Sequence, residues 1–276
     1  MSETLQNVSA TALVPAIEAN QFAFWANLCG LPQVEFRDDE ESLWFITGIP
    51  LTGFNVVGRA RFTPDKVDAK IEETLAHFRS RRVPMLWAVG PSTQPTDLGG
   101  RLEAHGLTHA GHDLAMAGDL LMLNEELPQP PTMTVECVSD LEMLRAWAQV
   151  WGAGFEMPDS ASRALFDVEA KVGLENLPRR FYLGFLRGEP VATSLLFLGA
   201  GVAGIYGVTT LPSVRRQGIG TIMTLAPLRE ARAMGYRVGV LFSSPMGAGV
   251  YRRLGFHEYF KHSHYIWTGE SERVVP

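Results

Sequence analysis

The sequence is poor in cysteine and has no surplus of basic charge. Its 276 residues include two cysteines, Cys29 and Cys137, and neither forms a CxxC pair or a His/Cys pattern with metal-ligand spacing. This argues against a disulfide scaffold and against a structural zinc site. The formal net charge is -6 and the pI is about 5.7, so we expect no nucleic-acid-binding surface.

Two further absences concern membranes and targeting. The N-terminus lacks a basic segment followed by an apolar one, so no secretory signal is predicted and the cytoplasm is the default location. The segment Val191–Val214 carries no charge and is long enough to suggest a membrane span. The "GAG" at Gly199–Gly201 interrupts it, and the pieces have the length of strands. We therefore predict an antiparallel meander and no membrane partner, with strands at Phe181–Leu186, Val191–Leu198 and Val202–Thr210.

A proline-rich stretch divides the chain. The composition is 46% hydrophobic and 20% charged, which is typical of a folded globular protein. The segment "LNEELPQPPTM" contains three prolines and an acidic pair between two apolar regions. We predict a domain over residues 1–124, a linker over 125–132 and a second domain over 133–276.

The second half has the pattern of a mixed α/β (α+β) domain. A helix is predicted to begin near Ser139, with Glu142 completing a capping box and Leu141, Leu144 and Ala148 on one face. The meander follows, then a long helix over 218–234, a buried strand, a short helix and a final strand.

The first half repeats the later part of this order. A helix with Thr63 as N-cap and Pro64 at its first position precedes a strand, a short helix ending at Gly106 and a closing strand. We therefore predict a tandem duplication. Each copy is expected to be a mixed, mostly antiparallel sheet flanked by helices.

The two copies differ at the loop before the long helix. Exposed amides at a helix start bind anions, and glycines allow phosphate to approach the backbone closely. The first copy has Asp65 and Asp68 there and no glycine. The second copy is suited to phosphate, because its loop holds Arg215, Arg216, Gly218 and Gly220.

The second loop resembles a known cofactor motif. The segment "VTTLPSVRRQGIGT" is similar to the acyl-CoA-binding motif of the GCN5-related N-acetyltransferase (GNAT) superfamily, whose core R/Q-x-x-G-x-G/A is met by Arg215, Gly218 and Gly220. The segment "SSPMGAGVYRRLGF" resembles the second cofactor motif of that superfamily, with Tyr251 four residues before Gly255. The resemblance covers about residues 133–267, and the first half resembles a degenerate copy.

The resemblance implies acetyl-CoA as the co-substrate and gives roles to particular residues. Backbone amides over 217–221 would hold the pyrophosphate, with an arginine as ionic partner, and backbone groups over 208–210 would pair with the pantetheine arm. Tyr251 would donate a proton to the departing CoA thiolate, and Ser244 stands where many relatives have asparagine. The implied cofactor residues are Val208, Thr209, Thr210, Arg215, Arg216, Gln217, Gly218, Ile219, Gly220, Thr221 and Ser244.

The general base is not assigned by the pattern. Many members of the superfamily carry a glutamate on the strand before the phosphate loop, whereas "VAGIYGVTT" has no carboxylate. Water, Glu156 and a late histidine are the alternatives. Tyr251 also has a purely structural alternative, as an aromatic at the edge of the core. We expect exposed strand positions rather than metal ligands for the late histidines, His257, His262 and His264.

The expected activity is N-acetylation in the C-terminal domain. An acetyl group would pass from acetyl-CoA to a primary amine of a small molecule by direct attack, without a metal and without an acyl-enzyme. The N-terminal domain would be structural or would help to form the acceptor site. The alternatives are a non-catalytic acyl-CoA-binding sensor and a protein N-acetyltransferase.

Overall fold

The computed structural model describes residues 3–28, 31, 33–128, 130, 132–174 and 178–269. The helices of these residues are α1 (Ala10–Leu28), α2 (Val67–Arg81), α3 (Leu98–Ala104), α4 (Leu141–Gly154), α5 (Asp159–Val172), α6 (Ile219–Ala233) and α7 (Ala248–Leu254). The strands are β1 (Glu35–Asp38), β2 (Leu43–Ile46), β3 (Asn55–Gly58), β4 (Met85–Val89), β5 (Thr108–Asp119), β6 (Met133–Cys137), β7 (Arg179–Leu186), β8 (Glu189–Gly199), β9 (Val202–Thr210), β10 (Val238–Ser243) and β11 (His257–Trp267).

The chain divides into two compact units, and each unit is built from two separate stretches of sequence. The larger unit takes residues 1–24 and 114–259, and the smaller unit takes residues 25–113 and 260–276. These boundaries differ from the single division predicted at 125–132, since that segment falls inside the larger unit. Two of its residues, Gln129 and Pro131, lie outside the described residues.

Strand pairing explains why the units are discontinuous. Residues 114–119 of β5 pair antiparallel with β10 in the larger unit. Residues 263–267 of β11 pair antiparallel with β4 in the smaller unit. Each sheet is thus completed by a strand from the opposite half of the sequence. An apolar pattern predicts that a segment is a strand but not which strand it pairs with, so the exchange was not predicted.

The sheet of the larger unit is ordered β6-β7-β8-β9-β10-β5. Its neighbours are antiparallel except β9 and β10, which are parallel. The predicted meander is confirmed as β7, β8 and β9. The uncharged run suspected of crossing a membrane therefore forms strands. Among the described residues, no helix has the length and hydrophobicity that crossing a bilayer requires.

Helices cover both faces of this sheet, which explains the uncharged run over 191–214. Neighbouring residues of β8 show the two faces, because Leu195 and Leu196 belong to different core clusters. One cluster contains residues of α6 and α7, and the other contains residues of α4. On the α6–α7 face the packed side chains include Met223, Leu228, Leu254, Ile205 and Leu241, and on the α4 face Leu144, Trp147, Phe181 and Phe197.

The smaller unit has a sheet ordered β1-β2-β3-β4-β11, in which β3 and β4 are parallel. Helix α2 buries the apolar positions Val67, Ile71, Leu75 and Phe78. Both units therefore contain a parallel strand pair joined by a long helix and followed by a short one. This order, β3-α2-β4-α3 and β9-α6-β10-α7, agrees with the repeat predicted from the sequence.

Two helices begin a few residues after the positions predicted from the sequence. The N-cap of α4 is Asp140 rather than Ser139, because the Asp140 carboxylate accepts the amide of Met143 at 2.8 Å. Leu141 then faces solvent, with 54% of its surface exposed. Helix α2 begins at Val67 and not near Pro64, since the carbonyl oxygen of Thr63 closes a separate turn before it.

Candidate active site

The strands β9 and β10 part near the middle of the larger unit's sheet. Their parallel pairing covers Ala203–Ile205 and Gly239–Leu241. It ends there, although β9 continues to Thr210 and β10 to Ser243. On its other side β9 stays paired with β8 at Tyr206, Thr209 and Thr210, with a shift of register in between. One edge of β9 over 206–210 is therefore open, in the position that the resemblance implies for the pantetheine arm and the thioester.

The loop after β9 ends at Gly218, which is the N-cap residue of α6 and has φ of 82°. This left-handed backbone favours glycine. The amides of Thr221 and Ile222 donate to the carbonyl oxygen of Gly218 at 3.1 and 3.3 Å, so the first turn of the helix already uses them. No residue in the described part of the chain accepts from the amides over 217–220. These amides have the arrangement that binds an anion at a helix start.

The glycines of this loop differ in the space around them. A Cβ atom at Gly220 would meet no other atom within 4 Å. A Cβ atom at Gly218 would lie 2.6 Å from the carbonyl oxygen of Pro128. Ile219, between the glycines, is buried and 1% exposed, so only its backbone is open to a ligand. Gly220 is thus the position where a side chain can be added without a clash.

The two arginines of the loop have different surroundings. The guanidinium of Arg215 donates to the carbonyl oxygens of Thr210 and Gly154 at 3.1 and 2.7 Å, and it lies 3.3 Å from the Glu156 carboxylate. Arg216 is exposed, has φ of 64°, and forms no ion pair with any described residue. Arg216 is therefore the arginine whose charge is available to a phosphate.

Tyr251 lies on α7 and packs against the core cluster that α6 shares with β9. Its ring is half-buried, and the hydroxyl of Thr224 on α6 is its hydrogen-bonding neighbour. Burial raises the pKa of Tyr251 to about 12. The phenol therefore keeps its proton at neutral pH and can donate a hydrogen bond.

The other predicted cofactor residues border the same opening. Val208 packs beside the α6–α7 core, and Thr209 lies against Gly154 on the opposite face. Ser244 follows β10, and its hydroxyl and carbonyl oxygens accept the amide of Gly247 at 3.3 and 3.0 Å. Ser244 thereby shapes the entry to α7, a role that asparagine can also fill.

The three alternatives for the base are not equivalent in the structure. Glu156 is exposed and pairs with Arg215. His257 is exposed on β11, as predicted. The predictions for His262 and His264 were wrong, because His262 is only 2% exposed and His264 is half-buried. Burial lowers the pKa of both, that of His262 to about 3, so neither is a strong base. No group of three or more metal-ligating side chains occurs in the part of the chain described.

Acid should destabilise the protein through His262. Its pKa of about 3 reflects burial and the charge of His264, against about 6.5 in an unfolded chain. A group with a lowered folded-state pKa stabilises above pH 6.5, and this stabilisation is lost as the pH falls towards 3. The expected loss by pH 5 is about 2 kcal/mol. Thermal unfolding between pH 7 and 5 should show a smaller decrease of Tm in a His262→Gln variant, and an equal decrease contradicts the assignment.

In the smaller unit, the chain itself occupies the place that corresponds to the opening. The parallel pairing of β3 and β4 ends at Val57 and Trp87. Beyond it, the amide of Gln94 donates to the carbonyl oxygen of Ala60 at 2.8 Å, and its own carbonyl oxygen accepts from Phe62 at 3.0 Å. No comparable edge is left there for a pantetheine arm.

Carboxylates also stand at the start of α2. Asp68 pairs with Arg101 at 2.8 Å and with His105 at 3.1 Å, on the face shared with α3. That the first half has no phosphate site stays a prediction. The descent of both units from one duplicated copy stays a prediction.

Sequence reasoning missed a polar contact beside the opening. Tyr206 directly follows the last residue of β9 that pairs with β10. Its phenol donates to Asn20 Oδ1 at 2.7 Å, and its ring stacks on that of Phe24 at 4.1 Å between ring centroids. Asn20 is fully buried and donates to the carbonyl oxygen of Gly199 at 2.9 Å. The contact joins residues 186 positions apart, so no local pattern could have indicated it.

Comparison with known proteins finds one family model that matches the part of the chain carrying these features. Residues 140–259 match the family model described as an acetyltransferase (GNAT) domain. This segment contains the open edge of β9, the arginine-glycine loop and Tyr251. A search of curated proteins found no match.

Solved structures of similar fold cover nearly the whole chain. A GCN5-related N-acetyltransferase from Kribbella flavida has a TM-score of 0.69 and 20% identity, over 91% of this chain and 95% of that one. A GCN5-related N-acetyltransferase from Sphaerobacter thermophilus has a TM-score of 0.59 and 18% identity, over 97% of this chain and 95% of that one. A tandem GNAT protein from the clavulanic acid biosynthesis pathway has a TM-score of 0.55 and 16% identity, over 95% and 94%. At these identities the likeness concerns the fold.

Proposed function

We propose that this chain, whose residues 140–259 match the family model of an acetyltransferase (GNAT) domain, transfers an acetyl group from acetyl-CoA to the primary amine of a small molecule. The observation that carries the proposal is the open edge of β9 beside a helix start with free amides. The open strand edge can pair with the extended pantetheine arm of the cofactor, and the amides at the helix start can bind its pyrophosphate.

The residues of the larger unit fit acetyl-CoA in charge and in space. The amides over 217–220 and the exposed Arg216 would hold the phosphates, and charge-assisted hydrogen bonds of this kind are among the stronger ones. Gly220 leaves the backbone uncovered. The backbone over 208–210 would pair with the pantetheine arm. When bound, acetyl-CoA supplies a thioester that an amine can attack.

Tyr251 would stabilise the charge that develops on the leaving sulfur. Its pKa of about 12 lies above the value of about 8.5 for a free thiol. Complete proton transfer from the phenol to a thiolate is therefore unfavourable, by about 5 kcal/mol. A hydrogen bond donated during the reaction carries no such cost and is the role that the burial of Tyr251 supports.

Transfer would be direct. Cys137, the cysteine among the described residues, lies on β6 at the outer edge of the sheet, three strands from β9. Burial raises the pKa of its thiol, which lowers the thiolate fraction and the reactivity. The amine would lose its proton to water or to Glu156. The Glu156 carboxylate pairs with Arg215, and Arg215 in turn contacts the end of β9 at Thr210.

The test is calorimetric titration of acetyl-CoA into the protein, followed by an acetylation assay over a panel of small primary amines and peptides. Binding with turnover of a small amine supports the proposal. Binding with turnover of peptides alone indicates a protein N-acetyltransferase. Binding without turnover over the whole panel indicates a sensor, and no binding by the folded protein overturns the proposal.

Tyr251→Phe should lower kcat about a hundredfold, because it removes one donor from the developing thiolate. The Kd of acetyl-CoA should stay within about twofold, since phenylalanine keeps the packing against the core. Thr224→Ala is the matched control, because it removes the hydroxyl next to Tyr251 but leaves the phenol in place. Equal kcat values for Tyr251→Phe and the wild type would assign Tyr251 a structural role only.

A further inference from the structure

Arg215 is occupied by contacts inside the protein. Its Nη2 donates to the carbonyl oxygen of Gly154 at 2.7 Å, and its Nε donates to that of Thr210 at 3.1 Å. Its third nitrogen, Nη1, lies 3.3 Å from Glu156. All three nitrogens thus bind acceptors of the chain. One of these acceptors belongs to the last residue of α4, and another belongs to Glu156 just after it. The planar fork of a guanidinium suits this simultaneous contact, which an ammonium cannot reproduce.

The contacted segment is the last residue of α4 and the turn that follows it, residues 154–157, here called the α4–α5 turn. It packs closely against the end of β9, because a Cβ atom at Gly154 would lie 2.4 Å from Oγ1 of Thr209. Glu156 has φ of 57°, a left-handed backbone that favours glycine. This conformation costs free energy, so the contacts around it must compensate. Arg215 supplies two of these contacts.

The α4–α5 turn borders the open edge of β9 on one particular face. Tyr251 and the start of α6 lie on the face that α6 and α7 cover. The turn and α4 lie on the opposite face, with Trp151 and the 46% exposed Phe155. If phosphate and leaving sulfur are bound from the α6–α7 face, an amine reaches the opening from the face of the α4–α5 turn.

We propose that Arg215 is a positioning residue for the acceptor amine, which it serves by holding the α4–α5 turn at the open edge of β9. The charge of the phosphates is met by Arg216 and by the amides over 217–220. This inference rests on the proposed function. Of the two adjacent arginines in this motif, Arg215 would serve the acceptor amine and Arg216 would bind acetyl-CoA. The sequence alone did not indicate which of the two contacts the phosphates.

Two matched variants test the division, Arg215→Met and Arg216→Met. Both remove one positive charge and keep an unbranched apolar side chain. Hydrogen exchange of the amides over 152–157 reports on the turn without any ligand, and calorimetry with acetyl-CoA reports on the phosphate site. In the amine panel, KM for the acceptor and KM for acetyl-CoA are measured separately.

Arg215→Met should speed exchange over 152–157 roughly tenfold and raise the acceptor KM, while the Kd of acetyl-CoA stays within about threefold. Arg216→Met should leave this exchange unchanged and weaken acetyl-CoA binding roughly tenfold. Glu156→Gln should change exchange little, because the contact is long and Glu156 is 70% exposed.

The opposite pattern overturns the inference. If Arg215→Met weakens acetyl-CoA as much as Arg216→Met does and leaves exchange unchanged, Arg215 is a phosphate ligand. If Arg215→Met speeds exchange but leaves the acceptor KM at the wild-type value, its role is structural only. If the wild type does not bind acetyl-CoA, the proposed function fails, and the assignment of an acceptor falls with it.

Discussion

Replacing Gly220 by aspartate should abolish measurable acetyl-CoA binding and leave the fold intact. The new carboxylate would stand at the second residue of α6, among the amides proposed to hold the pyrophosphate. Repulsion between unit charges about 4 Å apart is of the order of 4 kcal/mol at a protein surface. That corresponds to a loss of about three orders of magnitude in affinity.

The fold should tolerate this change for reasons visible in the structure. A side chain at Gly220 meets no atom within 4 Å, and an acid near a helix start is favourable by about 0.3–1 kcal/mol. Gly218 offers no such clean test, because its φ of 82° and the nearby carbonyl oxygen of Pro128 would strain the loop.

Gly220→Asn is the matched control, since it has the same shape without the charge. Calorimetry should show weaker binding for the asparagine variant and none for the aspartate variant, with Tm at or above that of the wild type in both. Equal Kd values for the aspartate variant and the wild type would place the pyrophosphate elsewhere.

The second large effect is expected on separating the chain at the linker. A fragment of residues 125–276 should fail to fold cooperatively, because it lacks the segment of β5 that pairs with β10. The buried side chains lost with β5 and the residue after it include Leu114, Met116 and Leu120. At about 1.5–3 kcal/mol each, their loss approaches the total stability of a typical domain, about 5–15 kcal/mol.

Thermal unfolding by circular dichroism and calorimetry with acetyl-CoA test this expectation. The fragment alone should show no sharp transition and no binding. Co-expression with residues 1–124 should restore both, because that fragment supplies α1 and β5. A cooperative transition and wild-type affinity for the isolated fragment would show that β5 and α1 are dispensable.

The order of elements and the phosphate loop could be predicted because their signals are local. Patterns within about 20 residues predict the strands of the meander, the helix after Gly218 and the apolar face of α2. Gly218 and Gly220 stand at a helix start, and the conformational freedom of glycine is also a local property. Tyr251 could be chosen as the candidate catalytic residue because it stands four residues before Gly255, which is also a local pattern.

The rest depends on contacts between distant residues. No pattern in β5 indicates that it pairs with β10, and none in Tyr206 indicates its hydrogen bond to Asn20. The direction of the Arg215 side chain depends on where α4 ends in space. His262 alternates with aromatic residues on a strand whose two faces look alike in sequence, so its burial could not be inferred.

The exchange of strands has a consequence for synthesis of the chain on the ribosome. The smaller unit begins at residue 25 but needs residues 263–267 of β11 to complete its sheet. The edge of β4 therefore stays without this partner until synthesis has passed residue 267. Contacts between residues so far apart in sequence slow folding, and open strand edges favour aggregation while they persist. We expect nascent chains of this protein to rely on chaperones until β11 has been made.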